Sequence, residues 1–232
     1  VLAVISALLL YTVGRQIPSR KNPQSKFLAP YRQLLGNSVS LRVYLTVLLE
    51  GILIIGSFSY LGAYISRTYH YNNLYIGLIM TAFGIMAIVG GRLAGRLAAQ
   101  KGRRLVLALG LVSATLADTL IYLQGTSLPL LVLAVALLGL GFIFAHSTLL
   151  TIATEFAQMA RGAAMSLVAF CFMGGGGLGT ALGGRLIKQF GLTDFYGLYA
   201  AGLALLVLLA LVLVNTQGVR VEMPGGPQPQ NR

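Results

Sequence analysis

Charge is scarce in this chain. Only 9% of its 232 residues are Asp, Glu, Lys or Arg, where a soluble domain carries about a quarter. With 56% apolar residues and a mean hydropathy of +0.81, the composition excludes a water-soluble globule. Acids are scarcer still, at five, and there are two histidines. That leaves little for acid–base or nucleophilic catalysis, and neither histidine has a second ligand at metal-binding spacing, so no enzyme activity, catalytic residue, metal or cofactor is expected. The single cysteine, Cys171, excludes an internal disulfide framework and a cysteine-based metal cluster.

What is present is cation and hydrocarbon. A net charge of +12 would suggest a nucleic-acid partner in a polar chain. Here the cations cluster between apolar runs, which reads as a membrane retention signal and not as nucleic-acid binding. A bilayer core of about 30 Å needs about 20 helical residues, and six runs meet that length, at 44–66, 75–94, 105–124, 129–151, 163–187 and 195–215. The fold class expected is an all-α, polytopic transmembrane helix bundle over 44–215. Residues 1–13 are apolar but too short to span, lack a signal peptide's basic head and cleavage site, and read as a truncated transmembrane helix. The chain begins at Val1 inside that run, as a piece of a longer protein would. Residues 14–43 form a basic linker broken by Pro18, Pro23 and Pro30, with room for a short interfacial helix after Pro30. The tail, 216–232, has a disordered composition.

The cations give an orientation. Six lie in the linker (Arg15, Arg20, Lys21, Lys26, Arg32, Arg42), five between the second and third runs (Arg92, Arg96, Lys101, Arg103, Arg104), then Arg161, and Arg220 and Arg232 in the tail; only Arg67, Arg185 and Lys188 fall on the other side. The positive-inside rule therefore expects linker and C-terminus to be cytoplasmic.

Inside the spans, small and polar residues mark what packs and what faces water. Gly77, Gly84 and Gly91 recur every seven residues in the second run, ending in Gly91-x-x-x-Gly95, and the segment 174–184 holds seven glycines in eleven residues. Both suggest closely apposed helices, and the second a deformable one. In the first run Thr46, Glu50, Ser57 and Tyr64 fall within about 40° of one another, with Tyr60 at the edge, at about 100° per residue. A polar stripe carrying a carboxylate reads as the lining of a wet transport cavity, the alternative being a structural ion pair with a cation such as Arg42. Asp118 reads as a local hydrogen bond near the outer interface, with a proton site as the alternative. His146, beside Ser147 and Thr148, is a cavity candidate whose plainer reading is hydrogen-bonded packing.

The turn between the second and third runs, GRLAAQKGRR, resembles the loop signature G-x-L-A-D-R-x-G-R-R of the major facilitator superfamily. Gly95, Leu97, Ala98, Gly102, Arg103 and Arg104 match, while Ala99 and Gln100 stand where the signature has aspartate and arginine. Gly175, Gly179, Gly183 and Gly184 are similar to the antiporter signature G-x-x-x-G-P-x-x-G-G, with Thr180 in the proline's place, and FSYLGAYI from Phe58 resembles helix 7 of drug–proton antiporters. The resemblance implies the C-terminal half of a twelve-helix transporter: the end of helix 6, a central loop, then helices 7–12. It implies secondary active transport by alternating access, as an antiporter effluxing small amphipathic compounds against protons, working with a missing N-terminal six-helix half in a bacterial inner (plasma) membrane. A sugar or metabolite transporter, or a non-transporting scaffold or sensor, are the alternatives. On this resemblance Glu50, Ser57, Tyr60, Tyr64 and His146 face the cavity. Gly95, Gly102, Arg103 and Arg104 form a cytoplasmic gate with Glu155 and Arg161 as partners, and the helix-11 glycines pack. The turn's other reading is purely topogenic.

A reporter fused after Gln217 is expected to read cytoplasmic and one inserted at Asn72 external, because the cation asymmetry sets the orientation. An external signal at Gln217 would overturn the topology.

Overall fold

Asn37 begins the first long helix. Its Oδ1 accepts from the backbone N–H of Val39 at 2.9 Å and of Ser40 at 3.2 Å, satisfying two donors that a helix start leaves open. The computed structural model describes residues 28–124, 127–157 and 160–214, with Val4, Ser6 and Thr12 ahead of them. Apart from those three, the run 1–13, the first part of the linker and the tail 216–232 lie outside the described residues.

A short helix α1 (Ala29–Gly36), with Pro30 in its first turn, precedes the first span. That span is continuous over Ser38–Tyr69, built as α2 (Ser38–Glu50), a π-helical turn (Gly51–Ile55) and α3 (Gly56–Tyr69). Five further spans follow: α4 (Asn73–Lys101), α5 (Arg103–Gln124), α6 (Leu128–Phe156), α7 (Arg161–Phe190) and α8 (Leu192–Leu213). The architecture is the all-α bundle of six membrane-length helices that the hydropathy pattern implies.

Two connections are reduced to a single glycine. Gly102 ends α4 at φ +87° and Gly191 ends α7 at φ +93°, a backbone region that side chains resist, so each helix stops and its neighbour starts at once. The basic segment from Gly95 is accordingly not a turn. It continues α4 as helix through Lys101, because Arg, Leu, Ala, Gln and Lys are strong helix formers, and only Gly102 turns. Arg92 and Arg96 thus project from the last three turns of a helix.

The glycine row of α4 also differs from its expected role. A Cβ at Gly77, Gly84 or Gly95 would meet no atom within 4 Å, and at Gly91 only the Ile143 side chain at 3.7 Å. The close approaches of this pair of helices use Gly90, which faces Leu140 and Ile143, and Gly139 of α6, which rests on the Phe83 backbone. Heptad spacing keeps the other glycines on one stripe, but the stripe is turned away from the bundle. α4 is the least enclosed span, with 6% of its most apolar window buried, against 50% for the first span. Its exposed Leu74, Leu78, Ile85 and Ile88 form an apolar surface of the kind a bilayer or another helix covers.

The glycines of α7 do pack. A Cβ at Gly175 would fall on the Leu48 carbonyl, one at Gly179 on the Ile52 carbonyl, and, from the other side, one at Gly51 on the Phe172 carbonyl. α7 and the first span therefore cross backbone against backbone. Two apolar clusters flank the crossing. One, toward the Arg103 end, gathers Tyr44, Val47, Leu107, Leu149, Phe156 and Val168. The other gathers Leu61, Ile65, Leu131, Phe195 and Tyr196.

Gly179→Ala is expected to destabilise the domain by about 1–3 kcal/mol, the usual range for overpacking a filled contact, whereas Gly77→Ala, with open space at its Cβ, is expected to be neutral or slightly stabilising. Thermal unfolding of the two variants in detergent checks this. Equal melting temperatures would mean that the crossing is not tight.

Candidate functional site

The polar stripe of the first span runs into the bundle. Thr46, Glu50 and Ser57 are each 0% exposed and Tyr64 is 4% exposed, so at this stage none of them opens to solvent from the six-helix domain. Thr46 is satisfied within its own helix, its hydroxyl donating to the Arg42 carbonyl at 2.8 Å. Glu50 faces α6: its Oε2 lies 3.2 Å from His146 Nδ1. Two residues placed separately on the sequence are thus one pair. Arg42, the alternative partner, stands eight residues earlier, about 12 Å along the helix. His146 joins a three-ring cluster, 4.2 Å from Phe172 of α7 and 5.4 Å from Phe142 of α6, centroid to centroid, with the two phenyl rings 5.6 Å apart. The pair therefore joins the first span, α6 and α7.

Glu50 is the last residue of α2, and the π-helical turn begins at Gly51. A π turn inserts one residue into the helical ladder and occurs disproportionately at functional sites. Here the glycines of α7 lie directly on it, and Oε1 of Glu50 has no hydrogen-bond partner among the described residues. An intramembrane carboxylate costs about 2.5–3.5 kcal/mol on insertion scales. The enclosed acid, its imidazole and a deformable backbone meet within one helical turn.

On the far side of the turn, Ser57 Oγ donates to Asp118 Oδ1 across to α5 at 2.6 Å. Asp118 is 0% exposed; its hydrogen bond is an interhelical one in the core and not a local one. The periodicity of α5 alone could not show this, because its buried face is set by α6 and α8. Tyr64 donates to the Ile121 carbonyl at 3.3 Å. Tyr60, half-buried, donates to the Thr180 carbonyl at 2.6 Å and lies over Gly183 and Gly184. Tyr199 of α8 donates to the Gly179 carbonyl at 2.6 Å. Tyr60 and Tyr199 pin α7 to the first span and α8, and Tyr64 ties the first span to α5; no spacing rule could have linked Tyr199 to Gly179.

A second constellation sits at the Arg103 end. Both Nη atoms of Arg103 donate to the Glu155 carboxylate, a bidentate pair between α5 and the last turn of α6. Arg104 donates to the Leu211 carbonyl in the last turn of α8. Because Gly102 ends α4 with a positive φ, the two arginines start a new helix and diverge to two different helix ends, where cations are favoured by the partial negative charge. Arg161 stands exposed at the start of α7, and the Glu155 carboxylate is taken by Arg103. Gly91, Gly95, Ser147, Thr148, Thr151 and Arg103 border a cleft of about 170 Å³ between α4 and α6.

Arg103 and Glu155 are 36% and 46% exposed, so solvent screens the pair. Arg103→Ala is expected to cost no more than about 1 kcal/mol in stability, with the difference from the parent protein shrinking as salt rises. Thermal unfolding at low and high salt measures it. A loss of several kcal/mol that salt leaves unchanged would contradict a screened surface pair.

Comparison with known proteins agrees with this architecture. Residues 1–160 and 43–230 match the family model of the Major Facilitator Superfamily. Human Solute carrier family 67 member A1 is similar at 29% identity over 182 residues, which covers 71% of this chain and 41% of that protein. The chain thus spans less than half the length of the curated relative it matches. The match over most of its length, with six membrane-length helices, makes this chain a member of the Major Facilitator Superfamily.

Proposed function

We propose that this domain is the C-terminal half of a proton-coupled exporter of small amphipathic compounds, working by alternating access with a second six-helix half. The carrying observation is the buried Glu50–His146 pair beside the π-helical turn. A carboxylate and an imidazole in contact can share and pass a proton, and histidine is the side chain best suited to exchange one near neutral pH. Ionisable residues inside membrane spans usually serve such relays. The adjoining glycine crossing supplies the mechanical half of the reading. The π turn meets α7 largely through backbone, with Ile55 on Gly176 as its side-chain contact, so the pair's protonation can bias which face of the domain opens.

The Arg103–Glu155 and Arg104–Leu211 contacts are the proposed gate. They tie the starts and ends of α5, α6 and α8 together at one face, and breaking them lets that face part. The cation asymmetry supports placing this face, with the linker and C-terminus, in the cytoplasm. The export direction, the amphipathic substrates and a bacterial inner membrane rest on the resemblance of the helix-7 and helix-11 segments to drug–proton antiporters. The relative's printed name, a solute carrier, supports transport of a small solute. In this superfamily substrates bind near the midplane between two six-helix halves, and the exposed apolar faces of α4 and α7 suit such a partner.

Glu50→Gln in the full-length protein is expected to abolish proton-driven efflux of an amphipathic cation such as ethidium while membrane abundance stays at the parent level. Efflux and abundance are measured side by side. If abundance collapses instead, the pair is a structural one whose removal strands a buried histidine. Normal efflux at every pH with normal abundance would remove Glu50 from coupling.

A further inference from the structure

Asp118 has no part in the proposed coupling at Glu50, yet it is the more isolated of the two buried acids. It lies fully buried in α5, with Oδ1 accepting from Ser57 Oγ at 2.6 Å and Oδ2 without a hydrogen-bond partner among the described residues. The groups that face it are neutral. From α3 there is Ser57, whose carbonyl also accepts from the Tyr196 hydroxyl at 3.4 Å. From α8 there are Tyr196 and Tyr199, near enough to interact electrostatically with the carboxyl. Tyr64 of α3 packs on Tyr196 at 5.2 Å. Ala117, immediately before Asp118, and Ala114, one turn earlier, join Ile54, Leu138 and Leu203 in an apolar cluster. Other hydroxyls of α5 are spent on carbonyls, Ser113 on Leu137 and Thr115 on Leu111. Among the described residues no Lys, Arg or His forms an ion pair with Asp118.

A charged carboxylate in such a place has lost its hydration with no ion pair to compensate it. Binding a metal cation there would need several oxygen ligands around a cavity, and the one hydroxyl present already closes on the carboxylate at hydrogen-bond length. A proton needs neither cavity nor further ligands. Oδ2, the bare atom, is where it would attach.

We propose that Asp118 is a second proton-binding site of this domain, oriented by Ser57 and separate from Glu50–His146. The step is protonation of Oδ2 by hydronium from the water that reaches the site when the bundle opens. One O–H bond forms on the carboxyl, one breaks on hydronium, and no electron changes hands. Ser57 is a positioning residue: its hydroxyl holds Oδ1 in both states and leaves Oδ2 to exchange. Glu50 and Ser57 sit on one span, seven residues or about 10 Å apart, with the π turn between them. Moving that turn by one residue would rotate Ser57 relative to Glu50 by about 100°, so the two proton sites need not open together. Glu50 lies nearer the Arg103 end and Asp118 nearer the other, which gives each membrane face its own buried acid.

The test needs no knowledge of the substrate. The full chain is placed in lipid nanodiscs, and infrared difference spectra are recorded as the pH is stepped, following the carbonyl stretch that only a protonated carboxyl shows. A titrating band is expected that Asp118→Asn removes, Glu50→Gln leaves in place, and Ser57→Ala shifts to higher frequency because Oδ1 loses its donor. The Ser57 variant keeps the acid, so it decides the matter even where Asp118→Asn fails to insert. A carboxyl band that never changes with pH, or a titrating band indifferent to both substitutions, overturns the proposal. The reading of Glu50 stands or falls on its own band and on efflux, independently of these outcomes.

Discussion

Everything in this domain leans on the crossing of the first span with α7. In a bilayer, helices gain little from burying hydrocarbon against one another, so the closeness of backbones sets the strength and position of contact. Gly51, Gly175 and Gly179 let two backbones touch where any side chain would separate them. That approach places Phe172 against His146 and brings Tyr60 and Tyr199 within reach of α7 carbonyls. The π-helical turn lies at the same level. A helix clamped this closely on one side and carrying an irregular ladder is held in place without being rigid.

The polar groups follow from that geometry. Glu50 leaves the helix one residue before the irregular turn, and among the described residues its hydrogen-bond partner is an imidazole that packs in a three-ring cluster with Phe142 and Phe172. Ser57, two turns on, reaches α5 instead. One span therefore carries contacts to α6, α7 and α5 in sequence, and a shift of the turn between them would be felt by all three. At the Arg103 end the constraint is different. Gly102 allows one residue to replace a loop, so Arg103 and Arg104 emerge together and bind two different helix ends. These contacts are exposed and electrostatic, while the crossing is buried and steric.

Much of this was legible in the chain itself. Six apolar runs of membrane length could only be spans, since an unpaired backbone is not tolerated in hydrocarbon. Arg103 pairs with Glu155 and Arg104 with a helix end, whereas Arg161, named beside Glu155 on the family resemblance, stands exposed at the start of α7. Elsewhere the same rules misplaced the contacts. The heptad of Gly77, Gly84 and Gly91 marks one face of α4, but periodicity does not say toward what that face turns. Glu50 and His146 each look solitary, because 96 residues separate them.

What the sequence determined by itself is the class of object: helices that cross a membrane, connections of unequal positive charge, and the family signature around Gly102. These follow from local properties, namely hydropathy over a window, cation placement and a glycine's access to positive φ, each set within a few residues. Only the tertiary structure decided the partners. Whether a buried acid meets an arginine, a histidine or a serine depends on the rotation and height of helices far apart in the chain, and close packing of backbones sets those.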